Sequence, residues 1–478
     1  MAHKREILTD YGRLEVPDLA NQDQSAAPKE ELRRGFGLST ATFVVIASMV
    51  GTGILLSPGY MMDSLKNYPA IFGLWALGGL LALCGAFCVA ELASALPHAG
   101  GEYVYLRQAY GPMPAFLSGW TSFFIGFSAP LAVAGYMATK YLLTPFGLAE
   151  DQTGYLVKFT AAAIIALITL PNLVGQRQSA WTQNLTTLLK FGLFVLLVVL
   201  AFIFGKGSMT NIKQGQTISE VDLGTAATQL FFVMFAYSGW NAATYVAGEI
   251  KNPAKILPRS LLLGTVLVVA LYLALNLTFA YAVPLSEVVV DFEKGINNAE
   301  MVPQMAVENL FGSKVSGVFS VAIGLAFLAT VSAFIITGPR IYYAMAKDGL
   351  FPRIAGQVST HGGIPVYAMI AQSLCAIVIL FVTDFQNLFK YAAVGQSLFA
   401  MLFIAAVYVL RWRRPQMKRP FRVPGYPVVP AIFIGVVLFM AVFAFREWLV
   451  PSLCSLGSIL AGIPVYYAWS ALTRRRKL

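Results

Sequence analysis

The sequence predicts an all-α membrane protein of twelve transmembrane helices, built as a five-plus-five inverted repeat with two additional C-terminal helices. Three observations support this fold class. Only 12% of the 478 residues are charged and 57% are hydrophobic, whereas a soluble domain carries about 25% charged residues. Apolar runs of about 20 residues, the length that crosses a bilayer, recur along the chain. Two of these runs contain glycine-rich interruptions at equivalent places in the two halves.

Twelve apolar runs are predicted to cross the bilayer. In chain order they cover residues 36–63, 68–96, 113–142, 155–172, 179–205, 222–249, 258–283, 313–345, 364–383, 386–410, 427–445 and 450–472. A further segment, 301–312, is predicted to form a short surface helix before the eighth span. The chain therefore consists of a polar N-terminal tail, 1–35, one membrane domain, 36–472, and a C-terminal tail, 473–478.

The two glycine-rich interruptions define the repeat. Gly51 lies in the first predicted span and Gly239 in the sixth. The repeat units therefore cover about 36–205 and 222–410, and the helices within 427–472 lie outside them. Since each unit contains an odd number of spans, the two units are expected to have opposite orientations in the membrane.

The distribution of basic residues predicts an integral membrane protein with both termini in the cytoplasm, in a plasma or inner membrane. Basic residues concentrate in alternate loops, and the stretch from Arg411 to Arg422 contains six of them and no acid. Loops rich in lysine and arginine stay on the cytoplasmic side. This topology accounts for the net charge of +11, and because the chain has no water-exposed basic domain, nucleic-acid binding is not expected.

The histidines and cysteines give no support to an enzyme or a metal protein. The three histidines lie in tail or loop stretches, and none shares a span with a cysteine or carboxylate at ligand spacing. The four cysteines fall in or beside apolar runs, where they are interpreted as small packing residues: Cys84, Cys88, Cys375 and Cys454. We therefore expect no metal, no cofactor and no catalytic residues.

The first interruption is Ser48-Met49-Val50-Gly51-Thr52-Gly53. Backbone that leaves the helix inside a bilayer must line a cavity or hold a ligand, because lipid cannot satisfy its polar groups. Gly51 and Gly53 lower the cost of non-helical dihedral angles, and Thr52 can act as an N-cap. The free amides of Thr52, Gly53 and Ile54, at the positive end of a half-helix, would suit a carboxylate. The carbonyls near Met49 would suit an ammonium.

The second interruption is Phe235-Ala236-Tyr237-Ser238-Gly239-Trp240-Asn241. The first half of this span is predicted to end within it, so that its unpaired carbonyls could accept hydrogen bonds from the same ammonium. Neither interruption contains an acidic or basic residue. Opposed half-helix ends could thus hold both charges of a zwitterion near the membrane midplane, which makes the membrane domain a predicted transporter domain.

Several motifs resemble the amino acid–polyamine–organocation superfamily, and most of all its L-type amino-acid transporter branch. Gly51-Thr52-Gly53-Ile54 followed by Ser57-Pro58-Gly59 is similar to its first-span signature. The stretch from Phe235 to Asn241, with Gly248-Glu249-Ile250 and Asn252-Pro253, resembles its sixth span. Gly100-Gly101-Glu102-Tyr103 and the stretch from Pro339 to Gly349 resemble its loop signatures.

This resemblance implies the inverted-repeat fold, an amino-acid substrate and alternating access. Carried over by motif, Gly51, Thr52 and Gly53 belong to the substrate site, where Thr52 and Gly53 would bind the substrate carboxylate. The main-chain carbonyls of four residues would hold its ammonium: Met49, Phe235, Ala236 and Ser238. Phe235 would also be the gate over the site, and Asn241 a polar wall residue.

Lys190 is a cation in the middle of the predicted fifth span. It lies some eleven residues, or roughly 16 Å, from the start of that span, and a charge there costs roughly 2.5–3.5 kcal/mol on insertion scales. Unwound carbonyls of the first span are its expected partners. In the resembling family a lysine of this span stands where sodium-coupled relatives hold sodium, which implies sodium-independent transport.

Two departures from the family pattern narrow the expected function. No acid follows Gly119-Trp120 in the third span, where the cationic-amino-acid branch has a glutamate, and this favours neutral substrates. The loop 142–152 has no cysteine, so a disulfide-linked heavy chain is not expected. The sequence therefore predicts a sodium-independent exchanger of neutral L-amino acids. A proton-coupled symporter of the same fold and an amino-acid sensor without transport remain alternatives.

Overall fold

The computed structural model describes residues 35–98, 100–148, 155–173, 179–215, 221–291, 296–359, 364–382 and 385–475. Except for Gly35, the predicted N-terminal tail lies outside these ranges, as do the last three residues of the predicted C-terminal tail. In the described ranges almost all regular structure is helical, as the sequence predicts. The α-helices are, in chain order, α1 Leu38–Met49, α2 Gly53–Leu65, α3 Tyr68–Ala95, α4 Glu102–Tyr110, α5 Pro112–Thr121, α6 Ala129–Leu143, α7 Tyr155–Asn172, α8 Ser179–Phe204, α9 Leu223–Ala236, α10 Pro253–Ala282, α11 Val302–Phe311, α12 Ser313–Thr337, α13 Pro339–Lys347, α14 Val366–Val382, α15 Phe385–Arg413, α16 Val428–Glu447 and α17 Leu449–Arg475.

Shorter elements connect these helices. A π-helical segment joins α5 to α6, and a two-residue antiparallel hairpin, β1 with β2, lies between α10 and α11. Short 3-10 turns occupy several of the remaining connections. These elements are the π-helix Ser122–Ser128, β1 Val290–Asp291, β2 Ile296–Asn297, and the 3-10 turns Thr144–Phe146, Asn211–Lys213, Ala242–Thr244, Ala247–Glu249, Leu285–Glu287, Ala299–Met301 and Arg353–Gly356.

Ten helical segments of the described chain are long and apolar enough to cross a membrane, so the protein is an integral membrane protein. Two shorter apolar helices, α9 and α14, lie where the sixth and ninth spans are predicted. The count of twelve spans and the inverted repeat stay predictions. A helix is present at the predicted surface segment as α11, but one of its faces is buried, with Val302, Ala306 and Leu310 in the core.

Burial divides the helices into an inner and an outer set. α1 and α2 are largely buried inside the protein, whereas α7 and the second half of α8 leave most of their apolar side chains exposed. Phe159, Leu167 and Leu170 of α7 are examples of such exposed groups. Since lipid is as apolar as a protein core, these outer helices are hydrophobic on all sides.

The first and sixth predicted spans are interrupted where the sequence predicts. α1 ends at Met49 and α2 begins at Gly53. The predicted span 222–249, however, is α-helical only as far as Ala236 and then continues through a turn and two 3-10 turns. The amide of Lys251 donates to the carbonyl of Phe36, so the end of this irregular segment lies beside the start of α1.

The cavity lies between two opposite faces of the molecule, the α4 face and the α11 face. The α4 face carries α4 and the start of α1. Both lie beside the irregular half of the sixth span, because Gly101 approaches Tyr245 and Phe36 pairs with Ile250. The α11 face carries the end of α2, where Tyr60 donates a hydrogen bond to Glu300 beside α11, at 2.9 Å.

Candidate functional site

A cavity of about 150 Å³ lies between the two interrupted helices. The structure brings all eight predicted site residues to its lining: Met49, Gly51, Thr52, Gly53, Phe235, Ala236, Ser238 and Asn241. Side chains of the π-helix, α12 and α15 complete the walls. The roles assigned to the individual residues stay predictions, but their shared location means that one small ligand could contact both interruptions.

The two interruptions pack directly against each other. A Cβ atom added at Gly53 would lie 2.7 Å from Ala236 Cβ and 2.9 Å from its backbone nitrogen, and one added at Gly239 would lie 2.7 Å from the carbonyl oxygen of Ser48. Of these two glycines, only Gly239 has a positive φ, of 99°. Gly53 is the first helical residue of α2, so the non-helical dihedral angles predicted for it are not found. Its lack of a side chain instead permits the close approach to Ala236.

The start of α2 presents amide groups without partners. The amides of Thr52, Gly53 and Ile54 donate no hydrogen bond to any part of the chain that the structure describes. Thr52 is the N-cap residue of α2, as predicted, and its carbonyl accepts from the amides of Leu55 and Leu56. Its side chain makes no capping hydrogen bond. A helix start of this kind carries a partial positive charge and is suited to bind an anionic group.

The last residues of α1 and α9, Met49 and Ala236, line the cavity, and their carbonyls share one hydrogen-bond partner. The hydroxyl of Tyr272 on α10 donates to the Met49 carbonyl at 2.6 Å and lies 3.3 Å from the Ala236 carbonyl. Trp75 of α3 packs edge-on against the Tyr272 ring and fixes its position. Each carbonyl oxygen has two lone pairs and can accept a second hydrogen bond. Sequence reasoning missed Tyr272, because nothing distinguishes it from other tyrosines in apolar spans.

Aromatic rings close the cavity toward the α11 face. Phe235 packs edge-on against Phe389, with ring centres 4.7 Å apart, and Phe389 stacks on Phe232 at the same distance. Beyond them Glu300, only 4% exposed, accepts a hydrogen bond from Tyr60 and forms an ion pair with Lys140. In this structure the protein is therefore tightly packed between the cavity and the α11 face.

Lys190 of α8 lies behind the cavity wall. Its side chain is only 7% exposed, and its ammonium donates to Thr330 Oγ1 of α12 at 3.3 Å. Thr330 lines the cavity, and its methyl group would be 3.9 Å from a Cβ atom at Gly51. The ammonium thus contacts the first interruption through Thr330, whereas the sequence analysis expected direct bonds to carbonyls of that interruption.

The cavity also contains a carboxylic acid that was named in a loop motif but was not among the predicted site residues. Glu102, the first residue of α4, lines the cavity and accepts a hydrogen bond from Ser122 Oγ at 3.1 Å. No lysine, arginine or other carboxylate is among the described lining residues. Burial raises the pKa of Glu102 to about 7, although the bond from Ser122 opposes the shift. A signal was present in Gly100-Gly101-Glu102, since a glycine pair can direct the following side chain inward.

Comparison with known proteins identifies the family. The family model described as amino acid permease matches residues 36–465. The b(0,+)-type amino acid transporter 1 of Mus musculus is 27% identical over 414 residues, which cover 86% of this chain and 82% of that protein. The cystine/glutamate transporter of Pongo abelii is 26% identical over 463 residues, which cover 95% of this chain and 89% of that protein. The large neutral amino acids transporter small subunit 2 of Mus musculus is 26% identical over 449 residues, which cover 91% of this chain and 81% of that protein.

These relatives confirm the resemblance to the amino acid–polyamine–organocation superfamily and its L-type branch, and they are named as transporters rather than enzymes. The interrupted helices and the cavity between them lie within the matched range. The chain belongs to the amino acid permease family and is an amino acid transporter of its L-type branch.

Proposed function

We propose that the protein is a sodium-independent exchanger of neutral L-amino acids that works by alternating access. The observation that carries this proposal is the pair of helix ends facing one cavity, with free amides on one side and carbonyls on the other. An amino-acid zwitterion has the two complementary charges. Its carboxylate would bind the amides of Thr52 and Gly53, and its ammonium the carbonyls of Met49, Phe235, Ala236 and Ser238.

The composition of the cavity wall supports a neutral side chain on the substrate. The wall combines apolar and uncharged polar groups with one carboxyl, that of Glu102, whose pKa is raised by burial, which favours its neutral form. Asn241 and Ser238 would provide polar contacts to the substrate. A fixed cation or anion that could select a charged substrate side chain is otherwise missing from the described lining.

Lys190 supports sodium independence. Its ammonium is buried, bonded to Thr330, and lies beside the first interruption. A fixed ammonium at this place would supply the positive charge that a bound sodium ion would otherwise bring. The cycle then needs no ion, and Phe235 would act as the gate that moves as the cavity changes sides.

The orientation of the protein in the membrane and its assembly are proposed from the sequence. We place the α4 face and both termini in the cytoplasm of a cell membrane, in agreement with the distribution of basic residues. One relative is named a small subunit, but the segment 142–152 of this chain contains no cysteine. We therefore propose that it functions without a disulfide-linked heavy chain.

The proposal is tested with purified protein in liposomes. Liposomes loaded with unlabelled alanine should accumulate labelled alanine from outside, whether the external salt is sodium or choline chloride, and empty liposomes should accumulate little. Competition by the other amino acids then defines the substrate class. Protein-free liposomes and the variant Gly192→Ala, at a site with open space around it, are the controls.

Three outcomes would contradict the proposal in different ways. Uptake into empty liposomes that is driven by external acid would identify a proton symporter. A requirement for sodium would remove Lys190 from its proposed role. Binding of labelled alanine without any counterflow would identify a sensor.

A further inference from the structure

Glu102 is a carboxyl group in an unusual position. It lines the cavity, is partly accessible, and has one hydrogen bond, from Ser122 Oγ at 3.1 Å. Within the described chain it has no ion-pair partner. A carboxylate that lies away from bulk water without a cation is unfavourable, so such a group either takes up a proton or pairs with a charged ligand.

The backbone fixes Glu102 in this position. Gly100 and Gly101 both have positive φ, of 123° and 59°, which residues with side chains rarely adopt. A Cβ atom at Gly101 would overlap the ring of Tyr245. The glycine pair therefore lets the chain pass directly under the irregular half of the sixth span, and α4 begins at Glu102 with its carboxyl beside the cavity.

The charged groups around Glu102 are engaged elsewhere. On α4 itself, Arg107 forms an ion pair with Asp348, which follows α13. Arg413 of α15 donates to the carbonyl of Ala109 at the far end of α4. The titratable groups that face Glu102 from the neighbouring elements are phenols, which stay neutral below about pH 10: Tyr245 from the sixth span and Tyr342 from α13.

One neighbouring group is unsatisfied. Thr121 also lines the cavity, and its buried hydroxyl has no hydrogen-bond partner in the described structure. A water molecule or a ligand in the cavity could satisfy it. The wall formed by Glu102, Thr121 and Ser122 therefore has unused hydrogen-bonding capacity beside the carboxyl.

We propose that Glu102 is a proton-binding site of the transport cavity, and that its protonation stabilises the present arrangement of the α4 face. The inference rests on the proposed transport function. The proton comes from water and adds to a carboxylate oxygen, and no other bond changes. When the close contact between Gly101 and Tyr245 separates and more water reaches the carboxyl, its pKa should fall toward the ordinary value and the proton should leave.

The sign of the pH effect follows from the direction of the pKa shift. Burial raises the pKa of Glu102 to about 7 in this structure, so the group binds a proton more tightly here than when it is hydrated. Acid therefore favours this arrangement. As the pH rises through about 7, the carboxyl ionises without a partner. Arrangements of the α4 face in which the carboxyl is hydrated then become more populated.

The test is alanine exchange in liposomes with the same pH on both sides, between about pH 5.5 and pH 8.5. Without a pH gradient, proton-driven accumulation does not contribute. We expect the wild-type exchange rate to change across a midpoint near the pKa of about 7. The amide of Glu102→Gln resembles the protonated carboxyl. This variant should therefore exchange alanine at every pH at the rate that the wild type reaches in acid.

A second variant tests the same idea without removing the carboxyl. Ser122→Ala removes the donor that favours the ionised form, so its midpoint should move to higher pH. Glu308→Gln, at an exposed site on α11, should keep the wild-type profile. A role of Glu102 in folding alone would lower the amount of active protein but would not move a midpoint.

Several results would overturn the inference. A wild-type rate that does not vary with pH, or a profile that persists unchanged in Glu102→Gln, excludes Glu102 as the titrating group. Glu102→Gln could instead lose only the transport of basic amino acids and keep the wild-type pH profile of alanine exchange. That result would show that the carboxyl pairs with a cation of the substrate. Failure of the proposed function is distinguishable, because then wild-type protein would not exchange alanine at any pH.

Discussion

Gly53 is the position where the smallest change should disturb the site most. The substitution Gly53→Ala adds one methyl group between the start of α2 and the end of α9. That Cβ atom would lie 2.7 Å from Ala236 Cβ and 2.9 Å from Ala236 N. These neighbours are backbone or directly attached to it, so no side chain can rotate away, and the two interrupted helices must separate.

The size of the effect follows from these distances. Carbon atoms in contact are about 3.5–4.0 Å apart, and the added Cβ atom would also overlap Ala236 Cα, so the helix ends must separate by about 1 Å or more. Misplacement of about 1 Å at a binding site can cost about 100-fold in activity. Overpacking of this kind costs about 1–3 kcal/mol of stability. We therefore expect alanine exchange to fall by about 100-fold, with a modest decrease in the unfolding temperature.

The assay is counterflow of labelled alanine into liposomes, with the amount of folded protein measured by size-exclusion chromatography in detergent. Gly192→Ala on α8, where a Cβ atom meets nothing within 4 Å, is the matched control and should exchange at the wild-type rate. Wild-type exchange by folded Gly53→Ala would refute the reasoning, since it would show that the approach of Gly53 to Ala236 does not shape the site.

Further predictions concern three other positions. Lys190→Ala should reduce exchange by about 100-fold or more, with unchanged amounts in the membrane, because the ammonium fixes α12 beside the first interruption; unaltered kinetics would exclude it from the mechanism. Tyr272→Phe should weaken alanine binding about fivefold, because the Met49 carbonyl loses the hydroxyl that holds it in position and a net hydrogen bond is worth about 1 kcal/mol. Competition binding measures this, and unchanged affinity would contradict it. Glu300→Gln should lower the thermal unfolding temperature, because it leaves the charge of Lys140 without its partner; adding Lys140→Gln should restore part of the loss.

Much of the architecture could be predicted from the sequence because lipid imposes simple rules. Hydrophobic length placed most of the long helices within a few residues, and the interruption of the first span was predicted at the residues where the structure has it. The irregular half of the sixth span was harder to predict. Residues 237–249 are apolar enough to be read as helix, but they are stabilised by local turns and by contacts with the start of α1.

The site was predicted where it depends on backbone and missed where it depends on distant side chains. The eight lining residues lie in two short motifs, so local sequence was sufficient. Tyr272 bonds the Met49 carbonyl from α10 and Glu102 lines the cavity from α4, and only the packing of α10 and the turn at Gly101 bring them to these places. The partner of Lys190 was missed for the same reason, because Thr330 lies 140 residues away in the chain.

A structure of the protein with alanine bound is the most direct test of the claim that two helix ends hold one zwitterion. We expect the alanine carboxylate within about 2.7–3.2 Å of the amides of Thr52 and Gly53. We expect its ammonium at a similar distance from carbonyls of the first and sixth spans. Alanine bound through its carboxylate to Lys190, or bound outside the cavity with both helix ends unoccupied, would contradict the account.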